Sequence, residues 1–492
     1  MPDLWMELEA TMRRFPHHTV LQAGSTSLTY HELYEQVQQM AERLRVAGIS
    51  AGKLVALFFH HRPYCVITFL ALTKLQARVI LLNSETPPED LRRLFHEIGE
   101  FPLLACPYSQ EQLEQIAPMS PLSLVNLDAL LFLPSREPLS RDEILSTSSS
   151  QAEQGFVAHY SSGSLGRPRL VMHSQQNLAH GGKLYQAAYH VTAQDTFLIA
   201  VPLSHSFGLV AGLVTALLTG ARVLLIEQFV PFQVLALLKQ EQVSCLIGTP
   251  LIYELLLSLN EQGIGENHAL RVVLSSGSPV PLTVNDRFAR CFGLPIFEVY
   301  GSTEMGVITA QWPRAVAWPR QSVGQPLPGV RIRLVDEAGH EMPRGATGQL
   351  LVQTPTMFLG YFPADDDRPS VFCDGWYQTG DLARQNSAGD LFLVGRHALL
   401  IPVYQQQVNP LVVETVLLSH PRVHEALVYA DEVLCAAVVA DGGEEALVDQ
   451  LFALCRERLA SFQVPARITL VSELPRGELG KLRRILSGIR AV

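Results

Sequence analysis

FLIAVPL (197–203), ARVLLIE (221–227), SCLIGTP (244–250) and RVVLSSG (271–277) are short apolar runs separated by stretches with helical character, one of them near 231–241. Strand, helix and strand in regular order imply a mostly parallel sheet with helices on both faces. The same rhythm stands earlier in the chain, where VALFF (55–59) and ARVILL (77–82) bracket the helical stretch ITFLALTKL (67–75). Residues 28–47 have helical apolar spacing after a short strand-like start. The fold class expected is therefore α/β, with a layered parallel sheet in a large N-terminal part.

From Gly324 the character changes. GVRIRLVDEAGHEMPRGATGQLLVQTP (329–355) alternates like strand, with turn signals at Glu337-Ala338-Gly339 and Pro343-Arg344-Gly345, which predicts a β-rich subdomain. Residues 397–492 read as a separate small α+β lobe with strands EALVYA and VLCAAVVA and a long helix EEALVDQLFALCRERLA. The domains expected are thus 1–396 and a small, mobile 397–492. Residues 134–154 are polar and read as a surface linker. No internal repeat is visible.

Composition narrows the class. With 48% apolar and 17% charged residues the chain is globular. A net charge of −10 and the lack of a basic block argue against a nucleic-acid partner. Seven cysteines, with no CxxC pair, argue against a disulfide framework or a zinc site and fit a reduced, cytoplasmic chain. The start, MPDLWMELEATMRRF, lacks the apolar core of a signal peptide, and runs such as Leu209–Leu218 are too short to span a bilayer.

The first chemical signal is Tyr160-Ser161-Ser162-Gly163-Ser164-Leu165-Gly166-Arg167-Pro168-Arg169. Small residues let backbone N–H groups converge on phosphate oxygens, hydroxyls add donors and arginines add charge. By itself such a stretch also reads as a mobile Ser/Gly turn, and it is not a Walker A loop. Further motifs follow in order. Leu28-Thr29-Tyr30-His31-Glu32-Leu33 precedes the loop. After it come Pro202-Leu203-Ser204-His205, Ser276-Gly277-Ser278-Pro279, Tyr300-Gly301-Ser302-Thr303-Glu304, Gly375-Trp376-Tyr377-Gln378-Thr379-Gly380-Asp381, Gly395-Arg396 and Gly480-Lys481. Together they resemble the acyl-adenylate-forming superfamily of acyl-CoA synthetases, nonribosomal adenylation domains and firefly luciferase. The likeness spans nearly the whole chain and is closest in style to a stand-alone acyl-CoA ligase.

The resemblance implies ATP and Mg²⁺ as cofactors, a carboxylic acid as substrate and CoA as second substrate. A carboxylate attacking the α-phosphate of ATP is anion meeting anion, so the site must neutralise charge and align the attack. By resemblance, Ser161, Ser162, Gly163, Ser164, Gly166 and Arg169 hold phosphates. Gly277, Ser278 and Pro279 line the adenine side, and Tyr300 stacks on adenine, with Gly301 and Ser302 beside it. Thr303 contacts the α-phosphate, and Glu304 holds Mg²⁺, a hard ion that prefers oxygen ligands. Asp381 accepts from the ribose hydroxyls, Arg396 reaches the ribose, and Lys481 swings over the α-phosphate and carboxylate. Tyr300 as a core aromatic and Asp381 as a turn aspartate are the plain structural alternatives. His205 either gates the acyl pocket or simply packs. No acidic residue stands near Ser206 to pair with a substrate ammonium, so a fatty or aryl acid is favoured over an α-amino acid.

Several positions depart from the family pattern. The loop ends Pro168-Arg169-Leu170 in place of Pro-Lys-Gly, and arginine keeps the charge of lysine without its shape. After Arg396, Ala398 stands at the hinge, Pro402 replaces the lysine of the second half-reaction, and Gln405 replaces a glycine past which the pantetheine arm slides. They support an alternative in which the adenylate passes to an amine, an alcohol or a carrier protein. A non-catalytic nucleotide-binding relative is the remaining alternative, against which the retained Tyr300, Glu304, Asp381, Arg396 and Lys481 stand.

Overall fold

The motif Leu28–Leu33 starts a helix, and its side chains explain why. Thr29 caps helix Tyr30–Val46: its hydroxyl accepts from the Glu32 N–H at 3.2 Å, and the Glu32 carboxylate accepts from the Thr29 N–H at 2.7 Å. This reciprocal pair satisfies amide groups that a helix start otherwise leaves open. Tyr30, next in sequence, is fully buried and donates its hydroxyl to the Ala221 carbonyl at 2.8 Å, which fastens the helix beside strand Arg222–Leu224.

The computed structural model describes residues 3–83, 86, 91, 103–105, 124–126, 155–161, 169–259, 268–362, 372–373, 375–396, 401–403, 406–431, 433–441 and 445–474. The linker expected at 134–154 lies outside them. Residue contacts divide the chain into two units. The first comprises Met1–Val316, Leu327–Val330 and Thr354–Pro369; the second comprises Ala317–Pro326, Arg331–Gln353 and Ser370–Val492.

The first unit holds two sheets. Across one of them the strand order is Gly306–Ala310, Phe297–Ser302, Val272–Ser275, Cys245–Gly248, Thr196–Ile199, Arg222–Leu224, Thr19–Ala23 and Thr26–Thr29. The strands from Phe297–Ser302 to Thr19–Ala23 are parallel, and only the outer pairs are antiparallel. Thr196–Ile199, Cys245–Gly248 and Val272–Ser275 are buried at every position, as the apolar runs predict. Helices Pro231–Gln240 and Pro250–Ser258 each begin on proline, whose fixed φ and missing N–H suit a first helical turn. The other sheet runs Gly360–Phe362, Arg169–Ser174, Phe156–Ser161, Arg78–Leu82, Leu54–Phe58, Leu103–Ala105 and Leu124–Asn126, parallel from Phe156–Ser161 onward. Helix Pro63–Lys74 touches strands of both sheets and is buried continuously from Cys65 to Thr73. Each such large apolar side chain contributes about 1.5–3 kcal/mol on leaving water.

The second unit contains the β-rich segment expected from Gly324. Arg331–Val335, Gly348–Gln353, Trp376–Gln385 and Leu391–Arg396 form an antiparallel sheet. Strands Val423–Asp431, Val433–Ala440 and Arg467–Leu470 form another, with helices Pro410–Leu418 and Glu445–Arg458 packed around one apolar cluster. The long helix buries Leu447, Leu451 and Cys455, a stripe at i, i+4 and i+8. No helix among the described residues is long and apolar enough to cross a membrane.

Candidate active site

Ligands of open α/β sheets collect at the carboxyl ends of the parallel strands. Three of the motifs leave such ends of one sheet. Pro202–His205 follows Thr196–Ile199, Ser276–Pro279 follows Val272–Ser275, and Thr303-Glu304 follows Phe297–Ser302. The topology therefore brings His205, Gly277, Ser278, Pro279, Tyr300, Gly301, Ser302, Thr303 and Glu304 to one sheet edge. The His205 Nδ1 accepts from the Phe207 N–H at 3.3 Å at the start of a helix that runs to Thr219. Within it Gly208–Val214 is wound as a π-helix, and the Thr215 N–H reaches the Val210 carbonyl five residues back.

The turn after Tyr300 is held from several directions. A Cβ on Gly301 would lie 2.1 Å from the Gly306 carbonyl oxygen, so the hairpin with Gly306–Ala310 closes only with glycine there. Ser302 Oγ accepts from the Met305 N–H at 3.2 Å, and the Thr356 hydroxyl donates to the Met305 carbonyl at 2.6 Å. The Phe358 N–H donates to the Glu304 carbonyl at 2.8 Å, and His173 Nε2 meets the Thr303 carbonyl at 2.6 Å. The Tyr361 hydroxyl donates to the Glu304 carboxylate at 3.1 Å. Leaving one such buried acceptor unpaired costs about 1–3 kcal/mol, so the turn has little freedom to drift.

In the second unit Asp381 and Arg396 are direct partners on neighbouring strands, and Arg396 Nε donates to Asp381 Oδ1 at 2.7 Å. The aspartate is buried and the arginine half exposed. The Asp381 N–H donates to Thr379 Oγ1 at 3.0 Å, and that hydroxyl donates to the Leu350 carbonyl at 2.9 Å. Trp376, from the same motif, packs with Val335 and Leu351 under the Arg333 guanidinium, 4.4 Å from its ring centre. A Cβ on Gly395 would strike the Asn409 amide, which caps helix Pro410–Leu418 and donates to the Val394 carbonyl at 2.7 Å.

A family model described as AMP-binding enzyme matches residues 8–362, and the model of its C-terminal domain matches 412–481. The chain belongs to the AMP-binding enzyme family. A medium-chain fatty-acid–CoA ligase of Escherichia coli (strain K12) is 29% identical, over 99% of this chain and 89% of that protein. An oxalate–CoA ligase of Arabidopsis thaliana is 28% identical, over 97% of this chain and 96% of that protein. The O-succinylbenzoate coenzyme A synthetase of Bacillus subtilis, solved in complex with AMP, superposes with a TM-score of 0.85 at 26% identity. That superposition covers 100% of this chain and 99% of the other.

The stretch expected to hold phosphates is bracketed by the hairpin Phe156–Ser161 and Arg169–Ser174, in which Ser161 pairs with Arg169. Ser162, Gly163, Ser164 and Gly166 lie outside the described residues, as do Ala398, Gln405 and Lys481. Pro402 stands opposite Gln407 in the hairpin Ile401–Val403 and Gln406–Val408.

Four polar side chains around these motifs escaped the sequence reading. Tyr361 and His173 brace the turn, as above. His159 Nδ1 meets the Ser204 carbonyl at 2.9 Å, beside His205. Glu298 stands two residues before Tyr300 and accepts from the Val280 N–H, just past Pro279, at 3.1 Å. Burial shifts Glu298, His159 and His173, and likewise His61, whose Nε2 meets the Val201 carbonyl at 2.9 Å. Burial pushes the Glu298 carboxyl up to about 7 and lowers His61, His159 and His173 to about 4, 3 and 4.

The signs give a pH prediction. A histidine whose folded pKa lies below its unfolded value of 6.5 contributes stability fully above that value, lost as pH falls towards 4. Glu298 works the other way: its contribution is present below 4.5 and lost as pH rises through about 7. Three histidines outweigh one carboxyl, so denaturant stability falls from pH 6.5 to 4. Glu298→Gln is expected to stabilise the protein at pH 8 more than at pH 5. A flat profile over the acid range, or equal effects of Glu298→Gln at both pH values, contradicts these assignments.

Proposed function

We propose that this chain is an AMP-forming acid–CoA ligase that activates a fatty or aryl acid with ATP and passes the acyl group to CoA. The observation that carries the reading is the braced turn Tyr300–Glu304 at the carboxyl edge of the parallel sheet. It offers an aromatic ring, a hydroxyl and a carboxylate in a fixed order to a nucleotide and its phosphates. Tyr300 stacks on adenine beside Gly277, Ser278 and Pro279, and Thr303 binds the α-phosphate. Asp381, with Arg396, takes the ribose hydroxyls. Residues Ser161–Arg169 hold the outgoing phosphates, and Lys481 neutralises the carboxylate and the α-phosphate oxygens as they meet.

Among the described residues no group of three or more His, Cys, Asp and Glu could hold a metal. A single carboxylate suits Mg²⁺, which keeps waters and takes substrate phosphate oxygens, and Glu304 is braced for that part by Tyr361. Bound there, the ion offsets phosphate charge. Domain 397–492 is the mobile lobe that delivers Lys481, and the hinge lies after Arg396. The buried cysteines Cys65, Cys245, Cys435 and Cys455 support a reducing, cytoplasmic setting. The first test is pyrophosphate release across a panel of carboxylic acids, followed by thioester formation with CoA. Silence with every fatty and aryl acid overturns the reading.

Ala398, Pro402 and Gln405 support a second reading in which the acceptor is an amine, an alcohol or a carrier protein. A glutamine adds several heavy atoms where the family passes a thiol arm along glycine, and packed walls absorb them poorly. Gln405→Gly combined with Pro402→Lys is expected to raise CoA thioester formation more than it raises ATP–pyrophosphate exchange. Should the parent form acyl-CoA as fast as it exchanges pyrophosphate, CoA is the acceptor and Gln405 does not obstruct it.

A further inference from the structure

We propose that His159 and His173 are positioning residues: two buried imidazoles on the strand pair Phe156–Ser161 and Arg169–Ser174 that hold the acid-side segment Ser204-His205 and the turn Thr303-Glu304 against that strand pair. The proposal rests on the adenylation reading above.

The geometry is specific. In the hairpin Phe156–Ser161 and Arg169–Ser174, His159 pairs with Val171 and Val157 with His173, so both imidazoles stand on one face. The opposite face, with Phe156, Ala158 and Leu170, belongs to the apolar core. The rings lie 6.0 Å apart, edge to face, and each residue is at least 96% buried. Each ring reaches one backbone carbonyl outside the hairpin: Ser204 O from His159 Nδ1, and Thr303 O from His173 Nε2. A carbonyl only accepts, so both nitrogens carry the hydrogen, and the tautomers are fixed as Nδ1–H on His159 and Nε2–H on His173. Among the described residues His159 Nε2 is buried without a partner, so protonating it would create an N–H with no acceptor there, beside a second imidazole. Both rings are therefore neutral tethers at the pH where the enzyme works.

Two histidines on one strand pair thus connect three segments whose alignment decides the attack. An apolar core face needs no imidazole; leucine would fill it. What imidazole adds is a donor at a fixed height above the strand. The two tethers end on different substrates' sides, and their losses should differ in kind. Thr303 is assigned to the α-phosphate, so loosening it should lower kcat with little change in the KM for ATP. Ser204-His205 borders the acid, so loosening it should raise the KM for the acid.

The experiment uses the full-length protein in ATP–pyrophosphate exchange with its best acid, together with melting temperatures. His173→Leu is expected to lower kcat at least tenfold, with the ATP KM within threefold of the parent. His159→Leu is expected to raise the acid KM at least fivefold. His173→Gln places an amide N–H near the lost Nε2, and His159→Asn places one near the lost Nδ1. Each is expected to recover most of the loss, with the parent's pH profile between 6 and 9. Leu variants that match the parent overturn the proposal. So do Gln and Asn variants that fold with the parent's melting temperature yet remain as impaired as the Leu variants. If the Leu variants do not fold, the Gln and Asn variants alone decide it. A parent inactive with every acid sinks the adenylation reading itself, a result distinct from any difference among variants.

Discussion

Lys481→Ala lowers ATP–pyrophosphate exchange by about 10²-fold or more and leaves the melting temperature unchanged. Preorganised positive charge at the point where two anions meet is worth several kcal/mol at the transition state, and little in the resting protein. The chain leading to it is anchored at Leu474, which is buried against Leu427, Ala437 and Val471. Lys481 follows seven residues later, at the last position matched by the family's C-terminal domain. Acyl transfer from a supplied acyl-adenylate should be nearly unaffected, because the ammonium group is assigned to the first half-reaction. Equal exchange rates in variant and parent would remove Lys481 from the mechanism.

Asp381→Ala raises the KM for ATP by about 10- to 100-fold, the equivalent of losing hydrogen bonds to a charged acceptor worth about 1.5–3 kcal/mol. The Asp381 backbone is held by its N–H on Thr379 Oγ1 and the carboxylate by Arg396, so the acceptor is already oriented before a ribose arrives. Because the arginine is half exposed, the ion pair itself contributes little to stability, and the melting temperature should fall only slightly. Asp381→Asn keeps the shape and loses the charge, and should lie between parent and alanine. If the alanine variant binds ATP like the parent, Asp381 is a sheet residue whose task is to hold Arg396.

What the sequence made legible was local. The buried runs at 196–199, 245–248 and 272–275 declare parallel strands through their own composition. The stripe Leu447, Leu451 and Cys455 shows in the helical period. Thr29 and Glu32 are three residues apart, so the capping box can be read directly. Motif order supplied the candidates at the sheet edge and the pair Asp381 and Arg396. The contacts that brace the site were hidden because they join distant residues. His159 meets a carbonyl 45 positions away, His173 one 130 away, and Tyr361 a carboxylate 57 away. Periodicity reports which face a residue occupies and says nothing of the loop that arrives there. The interleaving of the two units was equally illegible: Leu327–Val330 and Thr354–Pro369 return to the first unit from within the β-rich segment. That return decides Tyr361, which reaches Glu304 only because its strand pairs beside Arg169–Ser174.

The π-wound stretch Gly208–Val214 acts as a rotational spacer. An α-helix advances about 100° per residue and the i→i+5 winding somewhat less, so inserting one residue into this stretch would turn its upstream end by roughly a quarter of a turn against the buried Ala216 and Leu217. His205 sits at that upstream end. Its direction is then a matter of phase, set by how many residues separate it from the core and not only by which residues they are. A single-residue insertion that still folds should change the enzyme's preference among acids without touching the nucleotide side, and unchanged preference would show that His205 does not face the acid.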